Sequence, residues 1–526
     1  MHCVSWRKVL PGIFALCAFS LLAEPAAATE ASANYREHCA SCHGEHRLGG
    51  IGPALIPENL ARLRKNEAQQ VVAKGRLATQ MPAFGERLNE AEVKALVDYV
   101  YSPMMPVPTW GEAEIRASRL VHVPKPLPDQ PIFDADPKNL FVVVESGDHH
   151  VSILDGDRLE SIHRFPSRYA LHGGPKFSPD GRYVYFASRD GWISKYDLWQ
   201  LKLVSEVRAG INTRNAAVSS DGKYVAVANY LPHSLVILDS ELNFVKSLVA
   251  MDKDGKQSSR VSAVYDAGPR RSFVAALKDV KEIWEVSYDP AAPEVAAGVI
   301  HDFKYGEGAF LPGFLNPQRS QTDDYLDDFY FTQNYDEVMG ASRNDAHAAV
   351  SGQVINLDAR KKIADLALPG MPHLGSGISW HWQGRTVMAT PNLNEGVVSI
   401  IDMTNWKTVR QIKTRGPGFF MRSHENSRYA WTDSMMSREF KDTMQIIDKH
   451  SLEVVAELKP EPGKTFAHVE FTRDGKYVLA SLWEMDGALI IYDAETLQEI
   501  KRLPMRKPVG KYNVWNKISR SEGTSH

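Results

Sequence analysis

Two hydrophobic rhythms divide the chain. Between residues 89 and 101 apolar side chains recur at helical spacing (Val93, Leu96, Val97, Val100), which predicts an amphipathic helix. From about residue 132 the rhythm changes to alternation. The stretch Asp180-Gly181-Arg182-Tyr183-Val184-Tyr185-Phe186-Ala187 recurs as Asp221-Gly222-Lys223-Tyr224-Val225-Ala226-Val227-Ala228 and as Asp474-Gly475-Lys476-Tyr477-Val478-Leu479-Ala480-Ser481. Each copy is a polar turn followed by a strand of period two. Weaker copies start near Lys138, Pro269, Asp324, Gly384 and Ser427, and most lead into a second strand such as 235–239 or 489–493. Residues 128 to 515 thus hold eight units averaging about 48 residues, within the range of four-stranded propeller blades. Only 301–355 departs, with an acidic, aromatic insertion at 323–330. The pattern predicts a small all-α domain followed by an all-β eight-bladed propeller, with seven blades as the alternative.

The N-terminus carries a different signal. Arg7 and Lys8 precede an almost wholly apolar run at 9–22, and Ala26-Ala27-Ala28 follows as a small-residue cleavage site. This reads as a secretory signal over 1–28 and places the mature protein in the periplasm. An uncleaved anchor is disfavoured because the run falls short of the ~20 residues needed to span a bilayer, so no stable membrane insertion is expected. A proline-rich segment, 106–131, predicts an extended, semi-rigid spacer between a domain at 29–105 and the propeller at 132–526. With 61 basic against 64 acidic residues the chain lacks the positive field of a nucleic-acid binder.

Four cysteines in 526 residues cannot staple a fold, and Cys3 and Cys17 fall in the predicted signal. The remaining pair stands in Cys39-Ala40-Ser41-Cys42-His43, the spacing that attaches a c-type haem. Two thiols on one helical turn reach both haem vinyl groups, and His43 points at the iron. A redox dithiol or half a zinc site are the alternatives, and no second ligand pair exists for zinc. Met81, followed by Pro82, is the candidate sixth ligand, since a thioether suits an electron carrier; a core methionine is the alternative.

In a propeller, the segments entering the innermost strands meet at the axial mouth. Some seven to eleven residues before the turn glycines these segments hold His172, Arg214, His373 and His468. Three imidazoles and a guanidinium therefore converge on one cavity. His381 and His424 sit at or beside turns and read as structural.

These motifs carry a resemblance. Tyr169-Ala170-Leu171-His172, Ser178-Pro179-Asp180-Gly181-Arg182-Tyr183, Arg189-Asp190-Gly191-Trp192-Ile193 and the late Pro508-Val509-Gly510-Lys511-Tyr512-Asn513-Val514-Trp515-Asn516 resemble the haem d1 domain of the cytochrome cd1 nitrite reductase family. The resemblance covers nearly the whole mature chain. It implies His172 as the iron ligand of a d1-type macrocycle, with Arg189, Arg214 and Tyr265 near the macrocycle's carboxylates. Two departures stand out: Pro312 falls where the reductases carry their first distal histidine, and His468 appears where none is expected.

Those departures make the chain similar to the dihydro-haem d1 dehydrogenases, the biogenesis branch of the family. That resemblance implies oxidation of one propionate side chain of dihydro-haem d1 to an acrylate, with electrons passed to covalent haem c. His468 or His373 would act as base, Tyr512 would stand with them at the site of chemistry, and Arg415 would help anchor carboxylates. The implied partners are dihydro-haem d1 as substrate, an external electron acceptor, and nitrite reductase or other d1 maturation proteins of denitrification. A true nitrite reductase and a non-catalytic haem d1 carrier are the alternatives.

Overall fold

A computed structural model describes residues 26–50, 52–60, 63–75, 81–106, 108–124, 126–296, 309–341, 352–519 and 522–523. The predicted signal therefore lies outside the described residues, except for its last three positions. Those three open the helix Ala26–His38, which starts ahead of the expected cleavage point. Among the described residues no helix is long and apolar enough to cross a membrane.

The helical domain packs Ala26–His38, Lys65–Lys74 and Glu90–Val100 around Tyr35, Leu60, Phe84, Leu88, Val93, Leu96 and Val100. The last helix is the one the periodicity predicts, and its ends are set by chemistry. Asn89 accepts hydrogen bonds from the backbone N–H groups of Ala91 and Glu92, while Glu92 accepts from Asn89 N, a reciprocal cap.

Eight four-stranded antiparallel units form the rest. Blades 2 to 8 each run outward in chain order. Their inner strands are Lys176–Phe177, Asn212–Val218, Val261–Ala267, Asp328–Phe331, Ile378–Trp382, Met421–Arg422 and Phe466–Phe471. Blade 1 differs. It takes Leu140–Glu145, His150–Asp155 and Glu160–Pro166 from the start of the domain, and its inner strand, Pro508–Asn513, from the other end of the sequence. This pairing closes the ring and leaves no open sheet edge between first and last blades. The copies near Lys138, Pro269, Gly384 and Ser427 each lead into the second strand of a blade, whereas the one near Asp324 leads into the inner strand of blade 5. The insertion at 301–355 is only partly described; a two-stranded ladder, Val295–Ala296 with Phe310–Leu311, stands apart from the ring in front of blade 4's outer strand.

One expectation is corrected here. Residues 106–131 are not an extended spacer. They carry a helix, Glu112–Ala117, and a strand, Leu120–Val121, that adds a fifth strand to blade 2 through Glu206 and Ser205. The apolar residues among the prolines explain this: Ile115 is fully buried, and Trp110 packs into the same core and donates to Arg208 O at 2.7 Å. The helical domain then docks beside them, with Leu48, Ala54 and Ile56 against Ile211 and Leu231.

Candidate functional site

The thiols of Cys39 and Cys42 are both free, and the loop behind them orients His43. His43 Nδ1 lies 2.8 Å from Pro53 O. A carbonyl only accepts, so Nδ1 carries the proton and Nε2 keeps its lone pair for a metal. Burial holds the His43 pKa below its ordinary value, which keeps the ring neutral. Gly52 faces the ring so closely that a Cβ there would stand 2.7 Å from His43 Cε1. Met81 joins the core that contains Cys39. The donor set fits a covalent haem c.

The second site is a cavity of about 390 Å³ at one mouth of the propeller. His172, Arg214, Tyr265, His373, His468 and Tyr512 all line it, contributed by six different blades or the segments leading into them. His172 follows Ala170, a left-handed residue at φ 44°, and its Nδ1 donates to Arg214 O at 2.7 Å. Its Nε2 is again the lone-pair nitrogen. Arg189 and Arg214 hold guanidinium nitrogens 3.0 and 2.8 Å from that atom. A metal bound at Nε2 would have to displace both, which would leave two guanidinium groups beside the ring. Tyr265 donates to Asp328 Oδ1 at 2.8 Å.

On the facing wall, His373 Nδ1 donates to Phe419 O at 2.8 Å, and the ring meets Phe419 edge-on at 4.2 Å. Its Nε2 is thereby the basic nitrogen, with Ser376 Oγ at 3.5 Å. His468 is held differently. It sits at a β-bulge between Ala467 and Val469 with φ 52°, a conformation that costs roughly 1–3 kcal/mol and turns the side chain inward. Its Nδ1 has no hydrogen-bond partner among the described residues, and its ring meets Phe420 and Tyr512 edge-on at 4.6 and 5.5 Å. Burial, and then the cations Lys511, Arg422 and Lys517, push its pKa well below the ordinary value, so it stays neutral. Burial raises the Tyr512 phenol to about 12, so it remains a donor at neutral pH.

Asp433 ties this wall together. Fully buried, it accepts from Phe419 N at 2.8 Å and Phe420 N at 3.2 Å, with His468 N at 3.5 Å.

Arg415 is not at the site. It follows an outer strand, is half exposed, and pairs with Glu457 on the outer strand of blade 7 at 2.8 Å. Pro312 is exposed beside the outlying ladder and lines no part of the cavity. His381 is exposed and pairs with Glu522, and His424 is buried against Phe471. Two residues escaped the sequence pattern. Arg422, buried and lining the cavity, precedes a turn, His424-Glu425-Asn426-Ser427, that has neither glycine nor Asp-Gly to set the frame. Lys511, fully buried with its ammonium on His468 O, lies on the ring-closing strand, which precedes no turn of its own blade.

Comparison with known proteins identifies relatives of both domains. The Cytochrome D1 heme domain family matches residues 135–307 and 312–517, and the family described as Cytochrome C oxidase, cbb3-type, subunit III matches 26–100. The Dihydro-heme d1 dehydrogenase of Pseudomonas aeruginosa is 55% identical over 494 residues, covering 94% of this chain and 95% of that protein. The Nitrite reductase of Stutzerimonas stutzeri is 25% identical across 98% of this chain and 99% of its own length. Among solved structures, Dihydro-heme d1 dehydrogenase NirN in complex with DHE superposes with a TM-score of 0.84, covering 93% of this chain and all of that one.

Proposed function

This chain belongs to the cytochrome D1 heme domain family, and within it we propose that the protein is a dihydro-haem d1 dehydrogenase that converts a propionate side chain of its substrate to an acrylate. A saturated CH2–CH2 unit gives up two electrons and two protons to become CH=CH. Covalent haem c, when bound, supplies a one-electron acceptor for that chemistry.

The chain's own residues do the rest. Cys39 and Cys42 would hold haem c covalently, and His43 and Met81 would bind its iron. His172 ligates the substrate iron through Nε2, and Arg214, Arg189 and Tyr265 anchor its carboxylates. His373 takes the first proton from carbon, and the second passes to His468 on the same wall, whose Nδ1 has no hydrogen-bond partner among the described residues. The observation that carries His373 as the first base over His468 is the hydrogen bond from His373 Nδ1 to Phe419 O, which fixes the ring and leaves Nε2 basic. Tyr512 stays protonated and donates to the reacting side chain, while neutral His468 closes the same wall. The aromatic lining of Phe419, Phe420 and Trp483 keeps water from the reacting carbon.

The apolar run at 9–22 supports export to the periplasm, where the protein would serve d1 maturation for denitrification and hand electrons to an external one-electron acceptor. Mixing the haem c-loaded protein anaerobically with dihydro-haem d1 tests the reading. The product spectrum is expected to appear together with reduction of haem c. Binding without conversion would make the protein a carrier, and nitrite-dependent oxidation of the reduced protein would make it a nitrite reductase; either result overturns the proposal.

A further inference from the structure

The two histidines assigned to the two irons are joined by an unbroken chain of covalent and hydrogen bonds that passes through Arg208. His172 Nδ1 donates to Arg214 O at 2.7 Å. The next residue back, Thr213, donates its N–H to Arg189 O at 3.3 Å. Arg189 leads into Asp190, whose carbonyl accepts from Arg208 Nε at 2.8 Å. The same guanidinium crosses the domain boundary through Nη2 to Leu48 O in the helical domain. Leu48 leads into Gly49, whose N–H donates to His43 O at 2.8 Å. None of these bonds uses the Nε2 atoms, so the path survives ligation of both irons.

Arg208 is built into the boundary. It is only 6% exposed, its guanidinium lies over the Trp110 ring at 4.7 Å, and Trp110 donates to its carbonyl. A Cβ on Gly49 would stand 3.2 Å from its Nη2, and Gly49 has φ 86°, so that position is matched to glycine twice over. Beside it lies Asp190, fully buried, with Oδ2 lacking a hydrogen-bond partner among the described residues. A buried cation reaching two carbonyls from two domains, with a buried carboxylate nearby, is costly unless its position matters. The three parts that must keep register, namely the loop behind Cys39–His43, the connecting segment and blade 2, all meet on this one side chain.

We propose that Arg208 is the coupling residue between the two haem sites: it latches the helical domain to blade 2 and carries the electron path from the substrate pocket to haem c. This rests on the dehydrogenase reading. In the step concerned, one electron leaves the substrate macrocycle and reduces ferric haem c to ferrous; the second follows after a one-electron acceptor reoxidises haem c.

The test uses the haem c-loaded full chain with three variants. Arg208→Met removes both guanidinium contacts; Arg208→Gln retains one donor, should Met prevent folding; Asn59→Ala removes a boundary hydrogen bond that is off the path, Asn212 Nδ2 to Asn59 Oδ1 at 3.2 Å. Without substrate, hydrogen exchange across residues 44–52 is expected to quicken in the Arg208 variants. With dihydro-haem d1, its binding spectrum and the haem c potential are expected to stay as in the parent, while the fast phase of haem c reduction is lost. Asn59→Ala is expected to keep that phase. An unchanged fast phase in the Arg208 variants, or its equal loss in Asn59→Ala, overturns the proposal. If the parent itself never reduces haem c with substrate, the dehydrogenase reading fails instead; the path is then tested by photoreducing haem c with haem d1 bound and following the reverse transfer.

Discussion

Asp433→Asn probes how the distal wall is held. The side chain is fully buried, and its pKa is raised from 3.8 to about 6, chiefly by burial and against the lowering effect of the backbone N–H groups that it accepts. A rise of about two units corresponds to about 3 kcal/mol of differential interaction between its two protonation states. Because the native value lies above the unfolded one, the native state takes up a proton as pH falls through 6 while the unfolded chain does not. Stability from this group therefore rises by about 1.4 kcal/mol per unit between pH 6 and 3.8, is complete below 3.8, and is lost as pH climbs through 6. Asparagine cannot titrate, so the difference between the two proteins should change by about 2 kcal/mol between pH 6.5 and 4.5, the parent gaining on the variant as pH falls. Melting curves of both proteins followed by tryptophan fluorescence read this as a gap in midpoint that moves by a few degrees. Near neutral pH the variant should also bind dihydro-haem d1 more weakly, because its amide can still accept from Phe419 N but presents a donor to Phe420 N or His468 N. A midpoint gap constant across this window would refute the reasoning.

Three further outcomes follow from the geometry. His373→Ala should cut turnover of dihydro-haem d1 by about 10²–10⁴-fold, the usual reach of a general base, with binding of the macrocycle retained by absorption titration. Gly52→Ala should displace His43, since its Cβ would fall 2.7 Å from the ring, and the low-spin spectrum of haem c should weaken while the thioethers stay formed on a denaturing gel. Arg415→Ala should leave turnover and affinity within about twofold, because an exposed pair with Glu457 is worth at most about 1 kcal/mol and touches nothing in the cavity.

How much of this was written in the sequence depended on whether local signals carried it. The haem c attachment is local, five adjacent residues, and so is the turn-then-strand repeat whose phase places His172, Arg214, His373 and His468 at one mouth. Arg422 was missed because its blade turns without glycine, and Lys511 because its strand completes a blade begun hundreds of residues earlier. Arg415 was misplaced for the opposite reason: a basic residue near a blade boundary looks alike whether it faces the axis or the rim, and only its pairing with Glu457 decides. The connecting segment misled through its prolines, which mask the two residues, Trp110 and Ile115, whose burial fixes its course.

The ring-closing strand has a consequence for timing. Gly510, Tyr512 and the preceding Val509 line the substrate cavity, and they come from the strand that pairs Phe141 with Asn513 and Val143 with Lys511. Seven blades can stack as they emerge, but the pocket has no complete wall until those last residues return to the first hairpin. Capture of a tetrapyrrole is thus gated by the arrival of residues 508–513, so a chain that lacks them would have a finished helical domain yet nowhere to receive its substrate.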